Sequence, residues 1–254
     1  ASKAAYCTIY KHKGAETPMG QAYFITGTGT DIGKTVATSL LYMSLQTMGK
    51  SVTIFKPFQT GLIHETNTYP DISWFEQELG VKAPGFYMLE PETSPHLAIK
   101  LTGQQIDEQK VVERVHELEQ MYDIVLVEGA GGLAVPLIER ADSFYMTTDL
   151  IRDCNMPVIF VSTSGLGSIH NVITTHSYAK LHDISVKTIL YNHYRPDDEI
   201  HRDNIQTVEK LTGLSGLACI PTFVDVRKDL RVYILDLLSN HEFTQQLKEV
   251  FKNE

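Results

Sequence analysis

Two hydrophobic patterns alternate along the chain from residue 21 onward: short continuous apolar runs, and stretches whose apolar residues recur every three or four positions. The first pattern predicts buried strands and the second predicts amphipathic helices. The predicted strands cover residues 23–26, 51–56, 124–127, 158–161, 186–191 and 217–220. The predicted helices cover residues 34–48, 71–79, 107–121, 168–182, 203–211, 232–238 and 244–251.

This alternation of strands and helices determines the predicted fold class. Near-continuous apolar strands separated by helices are typical of a parallel sheet that is buried on both faces. No repeat, low-complexity tract or linker interrupts the pattern after residue 21. We therefore predict a single α/β domain over residues 19–254, with one doubly wound, mostly parallel sheet and helices on both faces. Residues 1–18 have no place in this pattern and are expected to be a disordered leader or an expression remnant.

Composition and charge narrow the classes of function. The chain has 254 residues, of which 43% are hydrophobic and 21% charged, as in ordinary globular domains. Its net charge of −9 argues against nucleic-acid and anionic-membrane partners. The cysteines Cys7, Cys154 and Cys219 are too far apart for a zinc site or a disulfide framework, which favours a reducing, cytoplasmic location. No apolar run approaches the roughly 18 residues of a membrane-spanning helix.

The stretch FITGTGTDIGKT, residues 24–35, looks like a phosphate-binding loop, but it has one residue more than the common pattern. The common pattern G-x-x-x-x-G-K-[ST] would place its first glycine at Thr28, whereas this chain has it at Gly27. The loop follows a predicted strand and precedes a predicted helix, which is the context that a phosphate cradle requires. We therefore predict a P-loop NTPase-like fold in which Lys34 reaches the outer phosphates and Thr35 binds Mg²⁺. The alternative is a tight turn into a helix.

Two further polar residues come at the ends of predicted strands. Glu128 follows the apolar run of DIVLVEGAGG, where a second Mg²⁺-facing carboxylate is expected in such folds, and the adjacent Gly131 permits close backbone approach to a ligand. Lys56 stands at the end of the second strand, in FKPFQTG, and Thr60 adds a hydroxyl. An exposed glutamate in a flexible turn and a solvated lysine are the alternatives. Because Lys56 is predicted to lie beside the phosphate loop, we favour the interpretation that it is a second cation, after Lys34, near the outer phosphate.

Two other stretches leave their interpretation open. Asp71, in YPDIS, suits a helix N-cap or a metal ligand, and the residues alone favour the cap. The stretch SGLGSIHN, residues 164–171, is a glycine-rich turn that leads into a predicted helix. Such a helix start suits the binding of a carboxylate, but it equally suits an ordinary loop and cap.

Taken together, these motifs resemble the dethiobiotin synthetases, the ATP-dependent carboxylases of biotin synthesis, over about residues 23–221. The family's phosphate loop carries the same extra residue, as G-T-x-T-[ED]-x-G-K-T. The stretches KPFQTG, SPHLA, VEGAGG and GLGSIHN follow in the family's order. The resemblance implies a homodimer with active sites at the subunit interface.

The resemblance also implies site residues. Thr35, Asp71 and Glu128 correspond to the Mg²⁺ ligands. The implied catalytic residues, around the phosphates, the reacting nitrogen and the carbamate, are Lys56, Lys34 and Thr30, and the implied substrate-binding residues are Thr60, Gly167 and Asn171. The implied nucleotide-binding residues are Gly29, Asp31, Ile32, Gly33, Lys34, Thr35, Val36, Glu128, Gly131, Asn192 and Pro221, with Asn192 reading the adenine. The chain departs from the family where many members have Asp for Gly29, Glu for Asp31 and Ser for Thr60.

The implied reaction joins CO₂ to 7,8-diaminononanoate and closes the ring of dethiobiotin, with ATP as co-substrate and ADP and phosphate as products. It passes through a carbamate and a mixed carbamic–phosphoric anhydride. The alternative is a partitioning-type switch ATPase. Such proteins carry a second lysine five positions before the conserved one, and this chain has Gly29 there.

Overall fold

The structure is a computed structural model that describes residues 20–252. The predicted leader of residues 1–18 and the predicted domain start at residue 19 lie outside the described residues, as does Cys7. The described strands are β1 (Gln21–Gly27), β2 (Val52–Thr60), β3 (Gly85–Leu89), β4 (Ile124–Gly132), β5 (Pro136–Glu139), β6 (Phe144–Met146), β7 (Val158–Thr163), β8 (Val186–Tyr194) and β9 (Gly216–Pro221). The described helices are α1 (Lys34–Thr47), α2 (Pro70–Leu79), α3 (Pro95–Thr102), α4 (Glu108–Met121), α5 (Thr147–Asp153), α6 (Ser168–Leu181), α7 (Glu199–Thr212), α8 (Val226–Ser239) and α9 (His241–Val250).

Seven of the described strands form one parallel sheet in the order β3-β2-β4-β1-β7-β8-β9. The strands β5 and β6 form a separate antiparallel pair. Because β1 lies between β4 and β7, the chain extends the sheet in opposite directions from β1, and such a switch point is where open α/β sheets bind ligands. The predicted doubly wound, parallel α/β fold is confirmed.

Consecutive residues of β1 belong to two different hydrophobic cores. Phe24 packs in the core that contains Val115 of α4, whereas Ile25 packs in the core that contains Leu40 of α1 and Ile234 of α8. Successive side chains of a strand point to opposite faces of its sheet. Helices therefore cover both faces, and the carboxyl ends of the strands are the edge at which a ligand can approach.

Strand β2 runs four residues further than predicted, although Pro57 lies inside it. It pairs with β4 up to Phe55 and with β3 from Lys56 onward. Pro57 therefore stands where the pairing partner changes, at a point where its missing N–H removes no ladder hydrogen bond. As a result, Lys56 and Thr60 are held by a strand rather than by a loop.

Two helices begin earlier than predicted because each has an aspartate cap. Asp198 accepts a hydrogen bond from the Ile200 amide at the start of α7, and Asp225 accepts one from the Lys228 amide at the start of α8. Aspartate is a favoured N-cap, and that signal was present in the sequence. The elements β3, α3, β5, β6 and α5 were not predicted, since each has ten residues or fewer and too few turns to show a period.

Candidate nucleotide and metal site

The loop between β1 and α1 has the backbone shape of a phosphate cradle. Gly33 is the N-cap of α1 with φ of 83°, and no described side chain caps the helix, so the first N–H groups of α1 remain available to a ligand. A Cβ on Gly33 would lie 2.0 Å from Asn192 Nδ2. The same Nδ2 donates a hydrogen bond of 2.9 Å to the Ile32 carbonyl. Glycine is therefore required at residue 33 both because its φ is positive and because a Cβ would clash with Asn192.

An ammonium group lies between two carboxylates at the ends of β2, α2 and β4. Lys56 Nζ is 2.5 Å from Asp71 Oδ2 and 2.7 Å from Glu128 Oε1. Glu128 is fully buried and Lys56 is 3% exposed. Because isolated charges are costly to bury, each of these groups requires the others.

Two threonines of α1 hold the other oxygens of these carboxylates. Thr35 Oγ1 donates to Asp71 Oδ1 at 2.8 Å and lies 3.3 Å from Glu128 Oε1. Thr38 Oγ1 donates to Glu128 Oε2 at 2.6 Å. The two threonines are three residues apart and so share one face of the helix. Thr38 was not predicted as a site residue, because no part of the loop motif marks it.

Asp71 is not the N-cap of its helix. The cap of α2 is Tyr69, Pro70 takes the first helical position, and Asp71 follows in the first turn. The preference for a capping role was therefore wrong. The proline sets where the helix begins, and the Asp71 side chain is free to reach Thr35 and Lys56.

The pKa shifts of these groups follow from burial and from their charged neighbours. Burial lowers the pKa of Lys34; Glu128 opposes this, and Lys56 lowers it further. Burial would also lower the pKa of Lys56, but Glu128 and Asp71 outweigh it, and the net shift of this pKa is upward. Burial would raise the pKa of Asp71, but the attraction of Lys56 and the hydrogen bonds outweigh it and lower this pKa. Lys56 is therefore most stable as an ammonium and Asp71 as a carboxylate.

The predicted Mg²⁺ ligands meet at one point and offer the right chemistry. A hydroxyl and two carboxylates supply the oxygen ligands that Mg²⁺ prefers, and the presence of the Lys56 ammonium indicates that the position attracts a cation. Within residues 20–252, no group of three or more His, Cys, Asp and Glu side chains could enclose a metal. A metal bound here would therefore complete its coordination with water and ligand phosphates.

A cavity of about 750 Å³ opens above this group. Its lining includes most of the predicted residues around the phosphates and the carbamate, namely Thr30, Asp31, Gly33, Lys34, Thr35, Lys56, Thr60, Asp71 and Gly131. Gln59 also lines it and was not predicted. Its amide nitrogen donates to the Thr60 carbonyl, and its Oε1 has no hydrogen-bond partner in the described part of the chain.

Other predicted residues lie outside this cavity. Gly29 lines a neighbouring cavity of about 380 Å³ together with residues of α6. Pro221 lines a third, of about 640 Å³, with Tyr194 at the end of β8. Gly167 and Asn171 are exposed at the start of α6, outside the lining of all three.

Three other predicted nucleotide-binding residues, Ile32, Val36 and Asn192, make contacts within the protein. Val36 packs against the core beneath α1, and the buried Asn192 holds the Ile32 carbonyl.

The loop before α6 is fixed by a buried histidine that was not predicted. Ser164 Oγ and His201 Nδ1 are 2.7 Å apart, and Arg195 Nε donates to His201 Nε2 at 3.1 Å. The side chain of Asn204 donates to the carbonyls of Ser164 and Gly165. Because Arg195 Nε can only donate, His201 Nε2 accepts, and Nδ1 carries the proton that is donated to Ser164.

Solved structures with a similar fold support the fold class. The MinD cell division protein of Aquifex aeolicus has a TM-score of 0.57 and 14% sequence identity, with 92% of this chain and 98% of that chain covered. The cell division ATPase MinD of Pyrococcus furiosus has a TM-score of 0.52 and 15% identity, with the same coverage. The fold and the phosphate loop together define a P-loop NTPase.

Sequence comparisons identify the family within this class. A family model described as an AAA domain matches residues 21–229. The ATP-dependent dethiobiotin synthetase of Geobacillus sp. (strain WCH70) is 47% identical over 234 residues, which cover 91% of this chain and 98% of the relative. That of Halalkalibacterium halodurans is 34% identical over 240 residues, with 91% and 96% covered. The chain belongs to the dethiobiotin synthetase family, and the prediction that it is a cyclo-ligase enzyme is confirmed.

None of the helices within residues 20–252 combines the length and the apolar character needed to cross a bilayer. The cytoplasmic location stays a prediction.

Proposed function

We propose that the chain is an ATP-dependent dethiobiotin synthetase that carboxylates 7,8-diaminononanoate with CO₂ and closes its ring. The observation that carries this proposal is the convergence of Lys34, Lys56, Thr35 and Asp71 around one cavity, with the buried Glu128 in contact with Lys56 and Thr35 beneath it. A site for both a nucleotide and an anionic intermediate needs such a combination of cations and metal-binding oxygens. Membership of the family supports the choice of substrate.

ATP binds in this proposal with its phosphates at the start of α1 and its adenine near the ends of β8 and β9. The exposed N–H groups of α1 and the Lys34 ammonium suit the phosphates. Around the adenine we assign Asn192 and Pro221. The remaining nucleotide contacts are assigned to Gly29, Asp31, Ile32, Gly33, Val36 and Gly131.

Thr35, Asp71 and Glu128 would hold Mg²⁺, which neutralises charge on the phosphates when bound. The two lysines then act on the other reactant. Two nearby cations disfavour the ammonium form of the substrate amine, so Lys34 and Lys56 favour the neutral amine that can react. The hydroxyls of Thr30 and Thr60 line the same cavity and are proposed to orient this nitrogen and the carbamate.

The reaction proceeds in three bond-forming steps. The neutral nitrogen attacks the carbon of CO₂ and loses a proton, which gives a carbamate. A carbamate oxygen attacks the γ-phosphorus, and the bond from that phosphorus to ADP breaks, leaving a mixed anhydride. The second amine then attacks the carbonyl carbon and loses a proton, and the bond from that carbon to the phosphate oxygen breaks, so that phosphate leaves. Both amines belong to the same substrate molecule, so ring closure does not require the binding of another reactant.

Gly167 and Asn171 are proposed to receive the substrate carboxylate at the start of α6. Because both are exposed and lie outside the cavity lining, we propose that they serve the active site of a second subunit in a homodimer. Leu166, which immediately precedes them, is 89% exposed. A second subunit at this position would remove this apolar side chain from water.

The direct test is phosphate release from Mg-ATP with 7,8-diaminononanoate and bicarbonate, omitting each component in turn and identifying the product by mass spectrometry. We expect release only when all three are present, together with a product of the mass of dethiobiotin. ATP hydrolysis that is indifferent to the diamine and bicarbonate would contradict the proposal and favour a switch ATPase. The glycine at position 29, in place of a lysine, argues against that alternative.

A further inference from the structure

The oxygens that face the proposed metal position are already occupied by Lys56. Asp71 Oδ1 accepts from Thr35 and Glu128 Oε2 accepts from Thr38. The remaining oxygens, Asp71 Oδ2 and Glu128 Oε1, are the two that contact Lys56 Nζ, at 2.5 Å and 2.7 Å. A metal ion bound by Asp71 Oδ2 or Glu128 Oε1 must therefore share that oxygen with the ammonium or replace it.

Sharing is unfavourable on charge and on distance. Mg²⁺ lies about 2.1 Å from its oxygen ligands, so an ammonium bound to the same oxygen would be no more than about 5 Å from the metal. The repulsion between a divalent ion and an ammonium at that separation is strong when both are shielded from water. The Lys56 side chain lines the cavity above the carboxylates, so its ammonium can move into that cavity.

We propose that Lys56 is the resident counter-ion of the metal site, and that a divalent cation displaces its ammonium from Asp71 and Glu128 into the cavity. This inference rests on the metal site of the proposed function. It gives Lys56 two alternative positions: one that neutralises the carboxylates before the metal binds, and one that reaches the carbamate afterwards. By linkage, an anion in the cavity that attracts Lys56 raises the affinity for the metal.

The inference predicts that removal of the lysine charge strengthens metal binding. In Lys56→Met, the two carboxylates no longer have a competing cation, and we expect Mn²⁺ to bind about tenfold more tightly or better. Lys56→Gln, which keeps a hydrogen-bond donor, should also bind Mn²⁺ more tightly than the wild type. It serves as a second test in case Lys56→Met does not fold. Lys82→Met is the matched control, because Lys82 is an exposed lysine outside the cavity lining.

The experiment titrates the full-length, nucleotide-free protein with Mn²⁺ and measures free Mn²⁺ by its electron paramagnetic resonance signal. Tighter binding in both Lys56 variants but not in Lys82→Met supports displacement. The gain should disappear when Asp71→Asn is added to Lys56→Met, which ties it to this site. Equal or weaker binding in both Lys56 variants overturns the inference.

Two further outcomes separate this inference from the proposed function. If neither the wild type nor the Lys56 variants bind Mn²⁺, the metal assignment is wrong and the inference falls with it. If the Lys56 variants gain affinity as expected while the wild type makes no dethiobiotin, the inference stands and the proposed reaction fails.

Discussion

The Thr38 hydroxyl donates a hydrogen bond of 2.6 Å to Glu128 Oε2, and both residues are fully buried. This contact joins α1 to the end of β4, across 90 residues of sequence. It fixes which oxygen of Glu128 faces the proposed metal position. Thr38 therefore acts as a positioning residue for a carboxylate that lies beneath the cavity.

The Thr38→Val substitution tests this role, because it removes the hydroxyl while keeping the shape of the side chain. It leaves a buried carboxylate oxygen unsatisfied, so we expect the free energy of unfolding to fall by about 1–3 kcal/mol. Mn²⁺ affinity should also fall, and Thr38→Ser should restore much of both. Urea unfolding and Mn²⁺ titration measure the two effects.

Thr47→Val is the control for Thr38→Val. Thr47 lies on the same helix, is exposed, and bonds to the Met43 carbonyl. Equal losses of unfolding free energy and of Mn²⁺ affinity in the two variants would show that the contact with Glu128 contributes no more than an exposed hydroxyl contact does.

Gly33→Ala is expected to weaken nucleotide binding and folding together. The added Cβ would lie 2.0 Å from Asn192 Nδ2, at a backbone φ of 83°. The loop or Asn192 must shift, and we expect at least a tenfold loss of ATP affinity in a fluorescent-nucleotide titration. Gly49→Ala shares the φ of 83°, but its Cβ meets no described atom within 4 Å.

The comparison of these two glycine variants separates backbone strain from the clash. Strain alone costs about 1–2 kcal/mol for a residue in this conformation, and Gly49→Ala should show that cost with unchanged ATP affinity. ATP affinity equal to that of the wild type in Gly33→Ala would mean that the loop tolerates a shape other than the one described.

The residues that could be predicted from the sequence are those that a local pattern marks. Lys34 and Thr35 belong to the phosphate-loop motif, Glu128 follows an apolar run, and parallel strands carry all three to the same edge of the sheet. The contact between Thr38 and Glu128 could not be predicted, because nothing near Thr38 in the sequence indicates a partner so distant along the chain. The same holds for the contact between Ser164 and His201.

Two incorrect expectations have local causes. The predicted strand of residues 51–56 ends just before Pro57, and proline rarely occurs inside a strand; however, β2 changes its pairing partner there and continues to Thr60. The residues around Asp71 favoured a capping role, but Pro70 takes the first helical position and the cap is Tyr69, two residues earlier than Asp71. The proposed role of the start of α6 in a second subunit's site is a different case, because contacts between chains leave no such local pattern.

His201→Gln is expected to disturb the loop before α6 and to spare the nucleotide site. His201 bonds to Ser164 and Arg195, and its loss should loosen the stretch proposed to receive the substrate carboxylate. We expect the KM for the diamine to rise several-fold while the KM for ATP stays unchanged. A parallel change in both constants, measured by steady-state kinetics, would point to a general folding defect instead.

The pair formed by Lys56 and Asp71 makes stability depend on pH in a defined direction. The pKa of Asp71 is lowered in the folded state, so its contribution is fully present above the ordinary aspartate pKa of about 3.9. It is lost as the pH falls through the lower, folded-state pKa. The pKa of Lys56 is raised, so its contribution is fully present below about 10.4 and is lost as the pH rises through the higher, folded-state pKa.

Asp71→Asn should therefore reduce the free energy of unfolding by about 3 kcal/mol between those limits, since it leaves Lys56 buried with one carboxylate fewer. The measurement is urea unfolding of the wild type and the variant in EDTA over a series of pH values. We expect the difference between the two proteins to be constant from about pH 5 to 9 and to shrink at lower pH as Asp71 of the wild type becomes protonated. A difference that stays the same down to the acid limit of folding would show that the Asp71 charge contributes nothing, and that the loss comes from packing alone.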